Sequence, residues 1–350
     1  MISSIRLQNY RSYTDSSFEF EPGVNIVVGP NASGKTNLLE AVMMLSCGSS
    51  YRARDTELIK FNKPWARLEG GFRKQNRVVK LQTESLPSKV FEIDTKAFRR
   101  LVFDKTIPIV FFEPNHLQLL IRGPNHRRDY FDDLLERSHI GFKPLLNNYK
   151  RTLAQRNTLL KRSRRAANDQ LFAWDVRLSE LGSQVAEHRS WLTEKINQDL
   201  SKTYSKIAKH KSVAEIKYIN QFKVDNYASQ MLGKLQSSAN LDFERGFTGS
   251  GPHREDFSLG LNGQPASSSA SRGETRSLLL ALKIFEVGLI EDARGQKPIF
   301  LLDDVFSELD GSRRKALVDR LKGHQTIITT TDAEAVLEYF SGQHNLIPLK

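Results

Sequence analysis

Residues 24–45 read VNIVVGPNASGKTNLLEAVMML, and this stretch decides the fold. An apolar strand precedes Gly29, Gly34 follows after four residues, and a helix begins near Lys35 and Thr36. This is the P-loop pattern, in which glycines let backbone N–H groups face phosphate oxygens at a helix N-terminus. Lys35 is expected to reach the β- and γ-phosphates of ATP, and Thr36 to ligate Mg²⁺. The predicted loop comprises Gly29, Pro30, Asn31, Ala32, Ser33, Gly34, Lys35, Thr36 and Asn37.

An acidic motif far along the chain supplies the other half of such a site. Residues 298–310 read PIFLLDDVFSELD, an apolar strand that ends at Asp303 and Asp304. Phosphoryl transfer needs chiefly positioning and charge compensation, so we assign Asp303 to magnesium and Asp304 to the attacking water. A turn or helix cap is the alternative for two acids in this position, but the P-loop makes it the weaker one.

A third motif, Ser-Arg-Gly-Glu at 271–274, opens an apolar helix that reads TRSLLLALKIFE. Ser271 suits the N-cap position, and a helix N-terminus carries roughly half a positive charge. Either it is a plain capped helix or it is a second anion receptor. Because the P-loop already holds phosphates within one subunit, the second reading predicts that this turn closes over the γ-phosphate of another copy, in an ATP-dependent homodimer.

The order of these motifs predicts an α/β protein in which a P-loop nucleotide-binding fold is split by an inserted and mainly helical lobe. The ordered parts resemble those of an ABC-type P-loop ATPase head. Short strands fill residues 1 to about 125, and helical periodicity follows to about 210. We predict an N-terminal part of the head at 1–128, a helical lobe at 129–235, and a C-terminal part of the head at 236–350.

Composition limits the partners of the protein. The 350 residues include 52 Lys and Arg against 40 Asp and Glu, a net charge of +12, which favours a polyanion such as nucleic acid. The single cysteine excludes an internal disulfide framework. The N-terminus lacks a signal-peptide pattern, and no apolar run approaches the ~18 residues of a membrane span. We therefore expect a cytoplasmic protein with no membrane partner.

The residues also resemble a known family. IRLQNYRSY at 5–13, GPNHRRDYFD at 123–132, YKRTLAQRNTLLK at 149–161, GPHREDFSL at 251–259 and LLDDVFSELD at 301–310 are similar to the RecF family of recombination and gap-repair ATPases. The resemblance implies an SMC-like head, slow and DNA-stimulated ATP hydrolysis, and binding to duplex DNA and to single-/double-strand junctions. It further implies a role with RecR and RecO in placing RecA, involvement in DNA replication and the SOS response, and a location at the nucleoid.

The resemblance also assigns residues. Ser271, Arg272, Gly273 and Glu274 correspond to the signature that acts in trans. The D-loop, which communicates across the dimer, corresponds to Ser307, Glu308, Leu309 and Asp310. Three departures leave questions open: Glu274 stands where many members have Gln, Pro-Asn-His at 114–116 leaves the magnesium-sensing residue near 113–118 undefined, and Thr330 or Thr331 replaces the switch histidine of transporters.

A basic segment within 140–169 is the DNA-binding candidate, although a charge run is often only a solvated face. Its cations would neutralise phosphates without reading bases, so the predicted binding is sequence-independent and salt-sensitive. The candidates are Lys150, Arg151, Arg156, Lys161, Arg162, Arg164 and Arg165. Arg127 and Arg128 are expected to brace the two lobes instead, and His253 to support the turn before the signature helix.

Two other functions compete with gap repair. An SMC-like ATPase could act as an ATP-switched DNA clamp in another process. The ATP-binding subunit of a membrane transporter is disfavoured, because it would have a much shorter interval between P-loop and signature.

Overall fold

The computed structural model describes residues 1–83, 87–119, 122–162, 164–340 and 344–350. The strands, in chain order, are β1 Ile2–Tyr10, β2 Tyr13–Glu19, β3 Val24–Val28, β4 Trp65–Phe72, β5 Gln75–Gln82, β6 Ser88–Ile93, β7 Lys96–Phe98, β8 Ile109–Phe112, β9 Ala214–Ile219, β10 Asp256–Leu261, β11 Gln264–Pro265, β12 Ile299–Asp303, β13 Thr326–Thr330 and β14 His344–Pro348. The helices are α1 Lys35–Cys47, α2 Pro124–Ser138, α3 Phe142–Leu160, α4 Arg164–Ala208, α5 Tyr227–Ser237, α6 Ala239–Arg245, α7 Ala266–Ser269, α8 Arg272–Arg294, α9 Val305–Glu308, α10 Gly311–Leu321 and α11 Glu334–Leu337. Short 3₁₀ turns occupy Asp55–Leu58, Phe103–Lys105, Pro114–Gln118 and Val224–Asn226.

The chain forms two compact units. The first comprises Met1–Leu117 and Glu286–Lys350, and the second comprises Gln118–Phe285. The first unit is therefore discontinuous in sequence, as the split arrangement of the motifs predicts.

The first unit contains two sheets. One is antiparallel, in the order β2-β1-β4-β5-β6-β7, and its strands alternate buried and exposed residues because only one face is covered. The other is parallel, in the order β14-β3-β13-β12-β8. Every residue of β12, β13 and β8 is buried, which explains the apolar runs IFLL in β12 and IVFF in β8. Helix α1 packs against strands of both sheets and buries Leu38, Leu39 and Val42 in the shared core.

The parallel register decides where the motifs meet. Leu302 of β12 lies opposite Phe112 of β8 and Ile328 of β13, and Thr329 lies opposite Val27 of β3. All these strands therefore end at one edge of the sheet. Asp303 and Thr330 are the last residues of β12 and β13, and the P-loop and Glu113 follow directly after β3 and β8. Residues remote in sequence therefore come to the same edge.

The second unit is built around the long helix α4. Residues predicted from helical periodicity, Leu178, Leu181, Val185, Leu192, Ile196 and Leu200, are all buried. Helices α3 and α5 and strand β9 pack against α4. Strand β9 pairs antiparallel with β10, which also pairs with β11.

The boundary between the units differs from the sequence-based division. The sequence-based division places residues 236–285 in the C-terminal part of the head, yet they lie in the compact unit that contains the helical lobe. The reason is tertiary pairing: β10 hydrogen-bonds to β9, and Glu255 accepts from the hydroxyls of Tyr218 and Tyr227. The functional division into head and lobe stays a prediction.

Across the part of the chain that the structure describes, no helix is both long enough and apolar enough to cross a membrane.

Candidate nucleotide site

The loop from Gly29 to Gly34 connects β3 to α1, as its sequence predicts. Gly34 is the N-cap of α1 with φ of 102°, and Ala32 also has a positive φ of 67°. A Cβ atom on Gly34 would lie 2.8 Å from the Tyr13 hydroxyl, and one on Gly29 would lie 2.8 Å from the Leu349 carbonyl oxygen. Gly34 is therefore required by its backbone conformation, and both Gly34 and Gly29 are required because there is no space for a side chain.

Lys35 is held beneath this loop. Its Nζ donates to the carbonyl oxygens of Gly29, at 2.7 Å, and Pro30, at 2.8 Å, and its side chain is buried. These bonds fix a cation beside the backbone N–H groups of the helix N-terminus. The arrangement suits a polyphosphate, which needs a positive charge and several donors together.

Thr36 and Asp303 meet at the sheet edge. Thr36 Oγ1 donates to Asp303 Oδ1 at 3.1 Å, and Thr329 Oγ1 donates to the same oxygen at 2.7 Å. Asp303 is buried at the end of β12. Because Mg²⁺ commonly takes one or two protein oxygens and completes its shell with water and phosphate, this hydroxyl and carboxylate fit a nucleotide-bound Mg²⁺. The described residues include no larger cluster of metal-binding side chains.

Asp304 occupies a constrained position beside Asp303. Its φ is 50°, in the left-handed region, and its N–H donates to Thr329 Oγ1 at 3.1 Å. Burial, followed by the negative charge of Asp303, raises the pKa of Asp304 above its ordinary value. The backbone contact fixes Asp304 at the edge where the predicted water-orienting group belongs.

A buried acid near the P-loop was missed from the sequence. Glu40, on α1, is fully buried and accepts two bonds from Arg11 at 2.9 Å, one from Ser50 and one from Arg52. Arg52 also donates to Asn37 Oδ1 at 2.7 Å. The signal available was the single acid within LLEAVMML, since a charge on a buried helix face needs partners.

An open surface pocket of about 600 Å³ adjoins the first turn of α1. Its lining includes Arg11, Ser12, Asn37, Lys60, Phe61 and Lys63. Asn37 Nδ2 donates to Ser12 Oγ at 3.0 Å, which joins the pocket wall to the P-loop. Cationic and aromatic groups beside a phosphate loop provide suitable contacts for the nucleoside part of a nucleotide.

The D-loop and switch residues also belong to the first unit. Ser307 Oγ donates to the carbonyl oxygen of Asp304 at 2.7 Å, and Asp310 caps α10 by accepting from the Arg313 N–H. Leu309 is buried, whereas Ser307 is exposed and Glu308 is half-buried. Thr330 is buried and its hydroxyl bonds to the backbone of Asp332, while Thr331 is exposed. The trans and sensing roles of these residues stay predictions.

The segment near 113–118 that is expected to sense magnesium lies at the end of β8. At the end of β8, the Glu113 N–H donates to His116 Nδ1 at 3.1 Å, so the Pro-Asn-His segment folds into a tight turn. This contact positions the segment at the sheet edge without identifying which side chain would act.

The predicted signature lies in the second unit and forms a capping box. The Ser271 N–H donates to Glu274 Oε2 at 2.8 Å, and the Glu274 N–H donates to Ser271 Oγ at 3.3 Å. The bond from the Ser271 backbone lowers the pKa of Glu274. Ser271 and Arg272 are exposed, and Gly273 is half-buried. The N-cap prediction is confirmed, while action on a second copy stays a prediction.

The basic candidates divide into two groups. Lys150, Arg151, Lys161 and Arg162 are exposed, as a phosphate contact requires. Arg156 is fully buried and forms ion pairs with Asp175 at 2.6 Å and Asp242 at 2.8 Å, so its predicted contact with DNA is wrong. An arginine inside the unit must be paired, and these carboxylates pair it. The side chains of Arg164 and Arg165 lie outside the described part of the chain.

The other basic and histidine predictions concern packing. Arg127 forms a bidentate pair with Asp256, and Arg128 donates to the Glu255 carbonyl oxygen, both within the second unit. His253 Nδ1 lies 2.7 Å from the Tyr149 hydroxyl and its Nε2 lies 3.1 Å from the Thr248 carbonyl. Burial lowers the pKa of His253 to about 4, so the ring is neutral and structural.

Asp303 reaches Thr36 through the parallel sheet, although residues 118–285 are inserted between the two parts of the first unit. A P-loop unit divided by such an insertion is the arrangement of an SMC-like, ABC-type ATPase head. The chain matches the RecF/RecN/SMC N-terminal domain family over residues 1–344. The chain belongs to the RecF family. It is 32% identical to the DNA replication and repair protein RecF of Clostridium acetobutylicum, and the alignment covers 99% of this chain and 96% of that protein. It is 35% identical to the DNA replication and repair protein RecF of Heliobacterium modesticaldum, over 95% of this chain and 93% of that protein.

Solved structures agree with this assignment. The structure of the recombination mediator protein RecF-ATPrS in the RecFOR pathway superposes with a TM-score of 0.86 and 31% identity, covering 96% of this chain and 94% of that chain. An Smc head bound to the C-winged helix domain of ScpA has a TM-score of 0.51 and 15% identity, over 96% of this chain and 91% of that one. The second likeness concerns the fold alone.

Proposed function

We propose that the protein is an ATP- and Mg²⁺-dependent DNA-binding ATPase of recombinational gap repair. The contact between Thr36 and Asp303 carries this proposal, because it joins the P-loop to the acidic strand end as a nucleotide-bound Mg²⁺ requires. The relatives named DNA replication and repair protein RecF, and the solved RecF-ATP structure in the RecFOR pathway, support it.

The proposed cycle begins with binding of ATP and Mg²⁺ by residues 29–37, which include Lys35, and by Asp303. The Ser271 turn of a second copy then closes over the γ-phosphate, and the closed dimer binds duplex DNA near single-strand gaps. Asp304 orients the attacking water, and slow, DNA-stimulated hydrolysis opens the dimer. RecR and RecO are the proposed partners in placing RecA, and the proposed location is the nucleoid.

Light scattering of the protein with Mg²⁺ and a non-hydrolysable ATP analogue tests dimer closure. The wild type should shift from 39.9 kDa to twice that mass. Ser271→Arg should bind the analogue yet stay monomeric, because its bulk blocks the turn. Ser267→Arg is the matched control, since Ser267 is an exposed serine outside the turn. A dimer formed equally by Ser271→Arg would refute the trans-acting role, and Lys35→Ala should lose nucleotide binding altogether.

Asp304→Asn tests hydrolysis separately. Asparagine tolerates the left-handed backbone that Asp304 adopts, so the change removes the charge with little added strain. We expect ATP binding and dimerisation to persist while turnover falls by roughly 100-fold or more, in line with the usual contribution of a general base. Phosphate release measured in single turnover would report this, and unchanged turnover would remove Asp304 from the mechanism.

A further inference from the structure

An exposed phenylalanine follows α6 in the second unit. Phe247 has 40% of its surface exposed, and the Arg254 guanidinium carbon lies 4.7 Å from its ring centroid. Arg254 Nε and Nη2 both donate to the Thr248 carbonyl oxygen at 3.2 Å. Thr248 is itself buried and bonded to Asn157 Oδ1. The ring and the cation beside it are therefore held by a fixed backbone, rather than by each other alone.

Further cations lie on the chain segments that adjoin Phe247. Lys161 and Arg162 follow the end of α3, and Arg245 ends α6. A Cβ on Gly246 would lie 3.7 Å from Lys161 Cγ, which shows that the ends of α3 and α6 meet. Lys161, Arg162, Arg245 and Arg254 are all exposed. We call Phe247 and these four residues the Phe247 surface.

The acids nearby do not neutralise this surface as a group. Asp242 is buried and pairs with Arg156, and it also accepts the Gly249 N–H. Glu244 is exposed and adjoins Arg245 in sequence. Among the described residues of these segments, the four exposed cations outnumber the one exposed carboxylate, so the Phe247 surface carries a net positive charge.

Helix chemistry alone does not account for the combination. Cations at helix C-termini are stabilised by the helix dipole, which explains Lys161, Arg162 and Arg245. It explains neither Arg254, which lies before β10 and outside any helix, nor an aromatic side chain with 40% of its surface exposed. Cations around an exposed aromatic ring are the features that bind single-stranded nucleic acid, where bases stack on the ring and the cations contact phosphates.

We propose that the Phe247 surface binds single-stranded DNA, with an unpaired base stacked on Phe247 and the backbone held by Lys161, Arg162 and Arg245. Duplex DNA offers no free base face to the ring, so the surface adds a contact that phosphate binding by Lys150 and Arg151 does not supply. The inference rests on the proposed DNA-binding function and deepens it, because it specifies where an unpaired strand beside a duplex would be recognised.

Fluorescence anisotropy with a short labelled oligothymidylate and with a duplex of equal length tests the proposal. Phe247→Ala should weaken oligothymidylate binding roughly tenfold, as loss of one base–aromatic stack does, and leave duplex affinity unchanged. Phe247→Trp should restore binding. Arg245→Gln should reduce the salt dependence of oligothymidylate binding by about one counterion. Ile140→Ala is the control, since Ile140 is 71% exposed in the same unit.

Specific outcomes would overturn the inference. Oligothymidylate binding that is unchanged in Phe247→Ala would exclude stacking, and equal losses for duplex and oligothymidylate would show a general effect on the lobe. If the wild type binds duplex but not oligothymidylate, the inference fails while the proposed function stands. If the wild type binds neither duplex nor oligothymidylate, and its molar mass does not change with ATP, the proposed function fails. Capture of polyglutamate by the wild type but not by Phe247→Ala would assign the surface to an acidic protein. Circular dichroism melting shows whether each variant is folded.

Discussion

Glu40 illustrates how single residues organise the nucleotide site. Its carboxylate is buried on α1 and receives hydrogen bonds from Arg11, Arg52 and Ser50. Burial alone would raise the pKa of Glu40, but these bonds outweigh it and hold the pKa below the ordinary value of 4.5. Because Arg52 also bonds Asn37, the acid holds two arginines beside the P-loop.

Glu40→Gln should therefore destabilise the protein at neutral pH. Removing one partner of a fully buried pair costs about 3–5 kcal/mol, and because Arg52 keeps 37% of its side chain in solvent we expect about 1–3 kcal/mol. A carboxyl group whose pKa is lower in the folded than in the unfolded protein stabilises the fold at pH values above its unfolded pKa. That stabilisation is lost as the pH falls through the folded pKa. Urea unfolding should therefore show the difference between wild type and variant shrinking below pH 4.5.

Glu69→Gln provides the comparison, since Glu69 pairs with Arg67 near the surface. It should change the free energy of unfolding by no more than about 1 kcal/mol. A Glu40→Gln variant that unfolds like Glu69→Gln would show that Glu40 does not organise these arginines.

At the scale of elements, the N-terminus of α8 explains the departure at residue 274. The Glu274 carboxylate accepts the Ser271 N–H, so it completes a capping box that fixes the turn. The carboxylate that stands where many members of the family have Gln thus has a local structural role. Glutamine can accept the same bond without the charge.

Glu274→Gln should consequently keep the helix cap and strengthen ATP-dependent dimerisation, because it removes a negative charge from the surface predicted to face phosphate. Glu274→Ala keeps the Ser271 N-cap but loses the reciprocal bond from the Ser271 N–H, and should cost no more than about 1 kcal/mol of stability. Analytical ultracentrifugation over a concentration series with Mg²⁺ and an ATP analogue measures the dimer constant. Weaker dimerisation in Glu274→Gln would mean that the carboxylate itself takes part in closure.

For the whole molecule, the net charge of +12 does not predict which cations meet a partner. Lys150 and Arg151 are exposed on α3, whereas Arg156 on the same helix is enclosed by Asp175 and Asp242. The helical repeat turns neighbouring basic residues to opposite faces, so one run of charge serves both solvent and core.

Variants of α3 should separate these two roles. Lys150→Gln with Arg151→Gln should lower the salt slope of duplex binding by about two and leave thermal stability unchanged. Arg156→Gln should lower the free energy of unfolding by about 3–5 kcal/mol, because it leaves buried carboxylates unpaired. DNA titrations in graded KCl and thermal melts test both. A stable Arg156→Gln protein with reduced salt slope would restore Arg156 as a DNA contact.

Local patterns were sufficient for much of this protein. The P-loop, the strands that precede Asp303 and Thr330, and the buried face of α4 follow from glycine spacing, apolar runs and helical periodicity, all of which act over a few residues. The Ser271 cap was also predictable, because the residues that make it are neighbours in sequence.

Tertiary structure decided the rest, because its determinants are partners distant in sequence. The burial of Arg156 depends on Asp242, the organisation of Glu40 depends on Arg11, and the placement of residues 236–285 depends on pairing between β9 and β10. Sequence alone determined that an ATPase head with an inserted lobe forms. Long-range hydrogen bonds and ion pairs determined which charged residues are left to bind partners, since a buried charge must be paired within the fold.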